Sequence, residues 1–184
     1  MSLYKENPNH RVMVFIDYRN LSECMSAVSP NLRLDLYRLT DVLVSNRELV
    51  GAYVFDATWP YPGKDDDNVK LHNSLRKQGF RLVVTNSMNR LGGKVVQKET
   101  DVSLACEMVE HALLDHYDVA IVVSGDRDFV PAMKKVQSAG KRVEMAALKH
   151  TCSEEAINIA DVYYLLDDMP FLLMSSSSNS GVKE

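Results

Sequence analysis

The sequence predicts an α/β fold: a three-layer sandwich around a central, mostly parallel sheet. Short apolar runs rich in β-formers recur along the chain, as at Val12-Met13-Val14-Phe15-Ile16. Such runs read as strands buried on both faces. Between them lie segments whose apolar residues fall at helical spacing. Strands and helices therefore alternate, the pattern of parallel strands joined by right-handed helical crossovers.

The first strand, Val12 to Ile16, ends at Asp17. Asn20 to Val28 reads as a short helix stopped near Pro30, and Asp35 to Asn46 as a helix with Leu36, Leu39, Val42 and Leu43 on one face. Val50 to Phe55 is the second strand, ending at Asp56, followed by a loop holding Pro60, Pro62 and Gly63. Asp65-Asp66-Asp67 opens the next helix, where carboxylates cap free backbone N–H groups, and Gly79 closes it. Phe80 to Thr85 is the third strand, and Asn86 to Lys98 a loop or ribbon around Gly92-Gly93. Asp101 to Leu114 is the clearest helix, with a broad apolar face that includes Leu104, Met108 and Ala112. Asp118 to Val123 forms the fourth strand, Ser124 to Asp128 a turn, and Phe129 to Ser138 a helix ended by Gly140. Arg142 to Leu148 is the fifth strand, Cys152 to Ala160 a helix, and Val162-Tyr163-Tyr164 a sixth short strand. Residues 1–168 read as a single domain; 169–184 read as an apolar segment, Met169 to Met174, and a Ser-rich disordered tail. The apolar segment either caps the core or pairs two copies as a homodimer.

A chain of 184 residues with 46% apolar and 25% charged residues has the composition of a folded domain. No apolar run approaches the roughly 20 residues of a membrane span, and the start lacks a secretory pattern. Cys24, Cys106 and Cys152 are widely spaced and odd in number, which argues against a disulfide scaffold or zinc site and for a reducing, cytoplasmic setting. The net charge of −4 is unevenly spread. Asn68 to Lys98 holds no acid but carries Lys70, Arg76, Lys77, Arg81, Arg90, Lys94 and Lys98, a formal +7 that leaves −11 for the rest. A local positive surface of this kind is a footprint for a polyanion, or else a set of ordinary solvated positions.

Ligands of open α/β sheets bind beyond the carboxyl ends of the strands. Asp17 and Asn20 follow the first strand, Asp126 and Asp128 follow the fourth, and Asp101 opens the helix leading into the fourth. If the first and fourth strands are neighbours, four carboxylates share one crevice, with Asp56 a weaker fifth. Singly, each acid also fits a turn or a helix cap. Together they are a set of hard oxygen ligands without nearby His or Cys, which selects Mg²⁺ or Mn²⁺ over zinc and suits phosphodiester hydrolysis.

At these residues a family becomes visible. Phe15-Ile16-Asp17-Tyr18-Arg19-Asn20-Leu21 resembles the opening motif of the NYN domain, in the PIN-like nuclease superfamily. Lys98-Glu99-Thr100-Asp101-Val102 with Leu104-Ala105 resembles its central motif, and Ser124-Gly125-Asp126-Arg127-Asp128-Phe129-Val130-Pro131 its third. The match runs from about Arg11 to Leu166, and the nearest branch is LabA-like. The resemblance implies a PIN-like fold with strand order 3-2-1-4-5 and a metal-dependent ribonuclease acting on RNA. By position it makes Asp17, Asp101, Asp126 and Asp128 the metal ligands and the catalytic centre, with Asn20 orienting Asp17 or a water, and Ser124 supporting the loop. Where many relatives have Asp six residues after the central acid, this chain has Glu107, about 240° around the helix from Asp101 and therefore off its face.

Arg19 and Arg127 adjoin the acids and suit contact with phosphate; Lys94 and Lys98, in the Gly92-Gly93 loop, suit it better. Trp59 and Tyr61 offer stacking on single-stranded RNA or simple cover of the core. His111 and His116, late in a helix, suit the helix dipole. The alternative function is an RNA-binding or regulatory module that keeps the fold without catalysis. A haloacid-dehalogenase-type phosphotransferase would want an acid at position 19, where this chain has Arg19.

Overall fold

The computed structural model describes residues 7–29, 32–58, 65–86, 88–89, 95–96, 98–169 and 173–175. β1 (Arg11–Asp17) runs into α1 (Tyr18–Val28), β2 (Leu32–Leu34) and α2 (Leu36–Val44). β3 (Glu48–Thr58), α3 (Asp65–Lys77) and β4 (Arg81–Asn86) follow, then a two-residue antiparallel pair, β5 (Met88–Asn89) with β6 (Val95–Val96). α4 (Lys98–Leu113) leads into β7 (Val119–Val123), α5 (Val130–Ser138), β8 (Arg142–Ala147), α6 (Glu154–Ile159), β9 (Val162–Leu165) and β10 (Leu173–Ser175).

Local signals set several boundaries. Asp35 caps α2, its carboxylate accepting from the Arg38 N–H at 3.0 Å. Gly79 and Gly140 stand at φ of 97° and 78° just past α3 and α5, a left-handed turn that glycine makes at little steric cost. Two helices begin earlier than the sequence suggests, α1 at Tyr18 and α4 at Lys98. In α1 the Asp17 carboxylate caps the first turn, so the helix starts directly from the strand.

Six strands form the main sheet in the order β4-β3-β1-β7-β8-β9, all paired parallel. Counted along the chain, the order is 3-2-1-4-5, extended by the sixth strand at the edge. Every step is a crossover, and alternating side chains of β1 feed two separate cores. Val12, Val14 and Ile16 pack with Leu21, Leu39, Leu43 and Leu75 of α1, α2 and α3. Met13 and Phe15 pack on the other face with Leu104, Met108, Met133 and Ala156 of α4, α5 and α6. The three layers are therefore helices, sheet, helices.

Side chains pin the amino ends of the strands. Arg11 holds Asp118 with its backbone N–H at 2.9 Å and its guanidinium at 2.8 and 3.1 Å, fixing the start of β1 beside the start of β7. Arg47 makes a two-pronged bond to Glu144 at 2.8 and 3.0 Å, and Tyr164 Oη donates to the same carboxylate at 3.0 Å. The apolar segment near the end of the chain has a partner within the chain: β10 runs antiparallel to β2, with Leu173 opposite Leu34. Residues 176–184, Trp59, Tyr61, Arg90 and Lys94 lie outside the described residues, as do the side chains of Asp65, Asp66, Asp67 and Lys98. Among the described residues no helix is long and apolar enough to cross a membrane.

Candidate active site

The chain leaves β1 towards β3 on one side, while β7 leads to β8 on the other. The crevice between β1 and β7 is thus the switch point of the sheet, where open α/β sheets bind ligands. Asp17 stands at the carboxyl end of β1, and Ser124 follows the end of β7. The register Ile16 to Val123 brings them side by side. Ser124 Oγ donates to Asp17 Oδ2 at 3.1 Å across the crevice, and the Asn20 backbone N–H donates to Oδ1 at 3.1 Å. Ser124 Oγ also accepts from the Asp126 N–H at 3.3 Å. Asp126 caps the short turn that follows, its Oδ1 accepting from the Asp128 N–H at 2.9 Å. Gly125 allows this turn: a Cβ there would lie 2.3 Å from the Thr151 carbonyl oxygen. The Ser153 N–H in turn donates to the Gly125 carbonyl at 3.1 Å.

Asp101 arrives from the other direction, on the first turn of α4. The preceding Thr100 is buried and hydrogen-bonded through its hydroxyl to Thr85 at the end of β4, which seats the start of α4 at the carboxyl end of the sheet. Leu104, Met108 and Ala112 hold the helix down through the apolar core.

The electrostatics tie the four acids together. Asp17 is 3% exposed. Burial, first, pushes its carboxyl up to about 7; Asp101 and Asp126 push the same way, while the Asn20 N–H and Ser124 hydroxyl oppose. Burial pushes Asp101 up as well, and Asp126 and Asp128 add to it. Asp126 is half-buried and Asp128 exposed, so the cluster grades from the sheet outward to solvent. Among the described residues no three His, Cys, Asp or Glu side chains stand close enough to share one metal ion. The donor set still suits a hard cation: Mg²⁺ takes one or two carboxylates and completes its shell with water and substrate phosphate. A buried carboxyl pushed up by other acids is a group that a cation would relieve.

The other sequence-predicted residues are distributed unevenly. Arg19, on α1, pairs with Glu23 at 2.6 Å beside the site, and Arg127 is exposed on the turn. Asn20 side-chain oxygen lies 3.6 Å from the Cys24 Sγ, a positioning contact that sequence reading missed. Glu107 points to His111, 3.3 Å from its Nε2, in keeping with its place off the Asp101 face. His111 also meets Tyr53 Oη at 2.8 Å and His116 at 2.7 Å. The basic window divides: Arg76 and Lys77 stand on the last turn of α3, and Arg81 opens β4, opposite Tyr53 in register. Asp56 is buried near the carboxyl end of β3 and bonded to His72, a pairing with no sequence signal because the two are 16 residues apart on a strand and a helix.

Comparison with known proteins gives the family and the fold. An uncharacterized protein of Methanocaldococcus jannaschii is 24% identical over 157 residues, covering 85% of this chain and 55% of its own length. The chain thus spans about half the length of that relative. The crystal structure of a protein of unknown function from Vibrio parahaemolyticus superposes with a TM-score of 0.76 at 22% identity, covering 93% of this chain and 100% of that one. This likeness shows the fold. The model of the NYN domain matches residues 11–167, from the first residue of β1 to the turn after β9, so the chain belongs to the NYN domain family, a nuclease-like fold.

Proposed function

We propose that this protein is a Mg²⁺- or Mn²⁺-dependent endoribonuclease that hydrolyses RNA phosphodiester bonds at the carboxyl end of its sheet. The observation that carries the reading is Asp17: a buried carboxyl at the switch point, bonded across it by Ser124 and pushed up by burial and by two further acids. Of Asp17, Asp101, Asp126 and Asp128, one or two would ligate the metal directly and the others would act through its bound water. Bound there, a divalent cation supplies positive charge for the scissile phosphate and activates water.

The chain's own residues do the rest. Ser124 and the Asn20 N–H hold Asp17 in one orientation, so the site is organised before substrate arrives. Asp126 and Asp128, on the solvent side, lie where a phosphate would approach. Arg19 and Arg127, with Lys94 and Lys98, would hold the flanking backbone phosphates. The three cysteines, all free, fit a reducing, cytoplasmic setting.

One observation favours a second reading. Among the described residues no three ligands converge on one point, which also suits a module that binds RNA without cleaving it. The two part on one experiment. Wild type and Asp126→Asn are incubated with 5′-labelled mixed RNAs in Mg²⁺, Mn²⁺ or EDTA. Cleavage by wild type with metal only, lost in the variant, is the expected result. Equal cleavage by both would sink the proposed site. Salt-sensitive binding without fragments would replace the enzyme with the binding module.

A further inference from the structure

α4 carries apolar residues on two faces. Leu104, Met108 and Ala112 are buried against the sheet. Val102, Cys106, Val109 and Leu113 form a second row on the outward side, spaced four, three and four residues apart. That is the spacing of a seam between paired helices. Val102 is 60% and Leu113 70% exposed, and Leu114, just past the helix, is 56% exposed. Cys106 is exposed and free. The row forms one wall of a groove of about 720 Å³, and α5 forms the other with Pro131, Ala132 and Lys135. A helix apolar on both faces is normally covered on both, and an exposed apolar strip with polar rims marks a protein contact. The other apolar stretch near the surface is already taken up: Leu173 and Met174 pair with β2 inside the chain.

The rims indicate what covers the groove. α4 contributes Glu110 and α5 contributes Lys135, one charge of each sign from opposite walls. Among the described residues neither side chain is in an ion pair. Glu99, eleven residues before Glu110, is also exposed and shares its side of α4. α4 and α5 both return the chain between parallel strands, so they run side by side in one direction.

We propose that a second copy of this chain covers the groove, in a two-fold pair whose axis runs along it. That axis lays α4 of each copy on α5 of the other. Each Glu110 then faces the partner's Lys135, twice over by symmetry, and the apolar rows are buried between the charged rims. An axis across the groove would instead set α4 on α4 and oppose the acidic residues of the two copies. The pairing does not depend on the reading of the acidic centre, but it bears on that centre. Asp101 directly precedes Val102, and an axis along the helices turns the carboxyl ends of both sheets to one side, so two acidic centres would open together.

The test is sedimentation of the full chain over a wide concentration range in EDTA, with thiol labelling of Cys106 read by peptide mapping. The expected result is a monomer–dimer equilibrium in which Cys106 labels more slowly as the dimer forms. Leu113→Glu, at a position exposed in the single copy, is expected to raise the dissociation constant at least about 30-fold, the size of a hot-spot loss. Glu110→Lys and Lys135→Glu are each expected to weaken the dimer about tenfold and, combined, to restore most of it. Circular-dichroism melts check that each variant folds; if Leu113→Glu does not, the charge-reversal set decides. A monomer at every concentration, a dimer that Leu113→Glu leaves intact, or a double reversal no tighter than the single ones would overturn the proposal. A monomer whose Cys106 labels faster once residues 176–184 are removed would overturn it too, and would give the face to the chain's own tail.

Discussion

At the residue scale, the centre is a compromise between stability and chemistry. A carboxyl raised from 3.8 to about 7 binds a proton in the folded state that the unfolded chain has released. Its contribution to stability is therefore present below about pH 4 and is lost as pH rises through about 7. Asp17→Asn removes the titrating group. In metal-free buffer the variant should gain melting temperature relative to wild type as pH climbs from 4 to 8. Parallel curves across that range would show that Asp17 is not the strained group. Gly125 fails in a different way. An added Cβ meets the Thr151 backbone at 2.3 and 2.7 Å, where there is no flexible side chain to yield. Gly125→Ala should cost about 1–3 kcal/mol, the usual range for overpacking, read by urea denaturation.

At the element scale, a buried ion pair ties elements together away from the acids. The buried pair of Arg47 and Glu144 is the main tie between the turn after α2 and β8, with side chains 1% and 2% exposed. Arg47 also donates to the carbonyls of Leu43 and Val44 at 2.6 and 3.0 Å, so it closes α2 as well. Removing Arg47 takes the two-pronged partner from a buried carboxylate and leaves it the Tyr164 hydroxyl and Arg142 at 3.7 Å. Arg47→Met should therefore destabilise by about 3–5 kcal/mol, while a double change to Met at 47 and Leu at 144 should recover much of it. A double variant no more stable than the single one would mean that the lost carbonyl contacts, not the stranded carboxylate, set the cost. Asp35→Ala, which removes only the α2 cap, should cost about 1 kcal/mol.

At the scale of the whole molecule, the strand order decides which strand-end residues meet. Asp17 and Ser124 are 107 residues apart and meet because β1 and β7 are neighbours at the centre of the sheet. The amino ends of the same two strands are clamped by Arg11 and Asp118, whose carboxyl is held down at about 2 chiefly by the Arg11 guanidinium. A depressed carboxyl contributes stability above its unfolded value near 3.8 that is lost as pH falls towards 2. Asp118→Asn should thus flatten the acid limb of the stability curve between about pH 4 and 2, measured by denaturant midpoints. An unchanged limb would place the clamp's contribution elsewhere.

Much of this was legible in the chain itself. The alternation of apolar runs and helical periodicities identified the main strands and helices, because period and burial are local properties of a segment. The glycines after α3 and α5 marked helix ends for the same local reason, whereas the caps at Asp17 and Asp35 came only with the structure. Position at a strand's end singled out Asp17, Asp126 and Asp128, and position at a helix start singled out Asp101. What the sequence could not carry is every relation between segments. The buried bond of Asp56 to His72, the tie of Arg47 to Glu144, and the pairing of β10 with β2 depend on which elements become neighbours. The run of cations from Asn68 to Lys98 looked like one surface, yet Arg76 and Lys77 lie on the last turn of α3, before the amino end of β4, while the acids follow the carboxyl ends of β1 and β7 or open α4. Packing two cores against one sheet fixed those neighbours, and only that long-range choice turned a set of strand-end acids into one electrostatically coupled site.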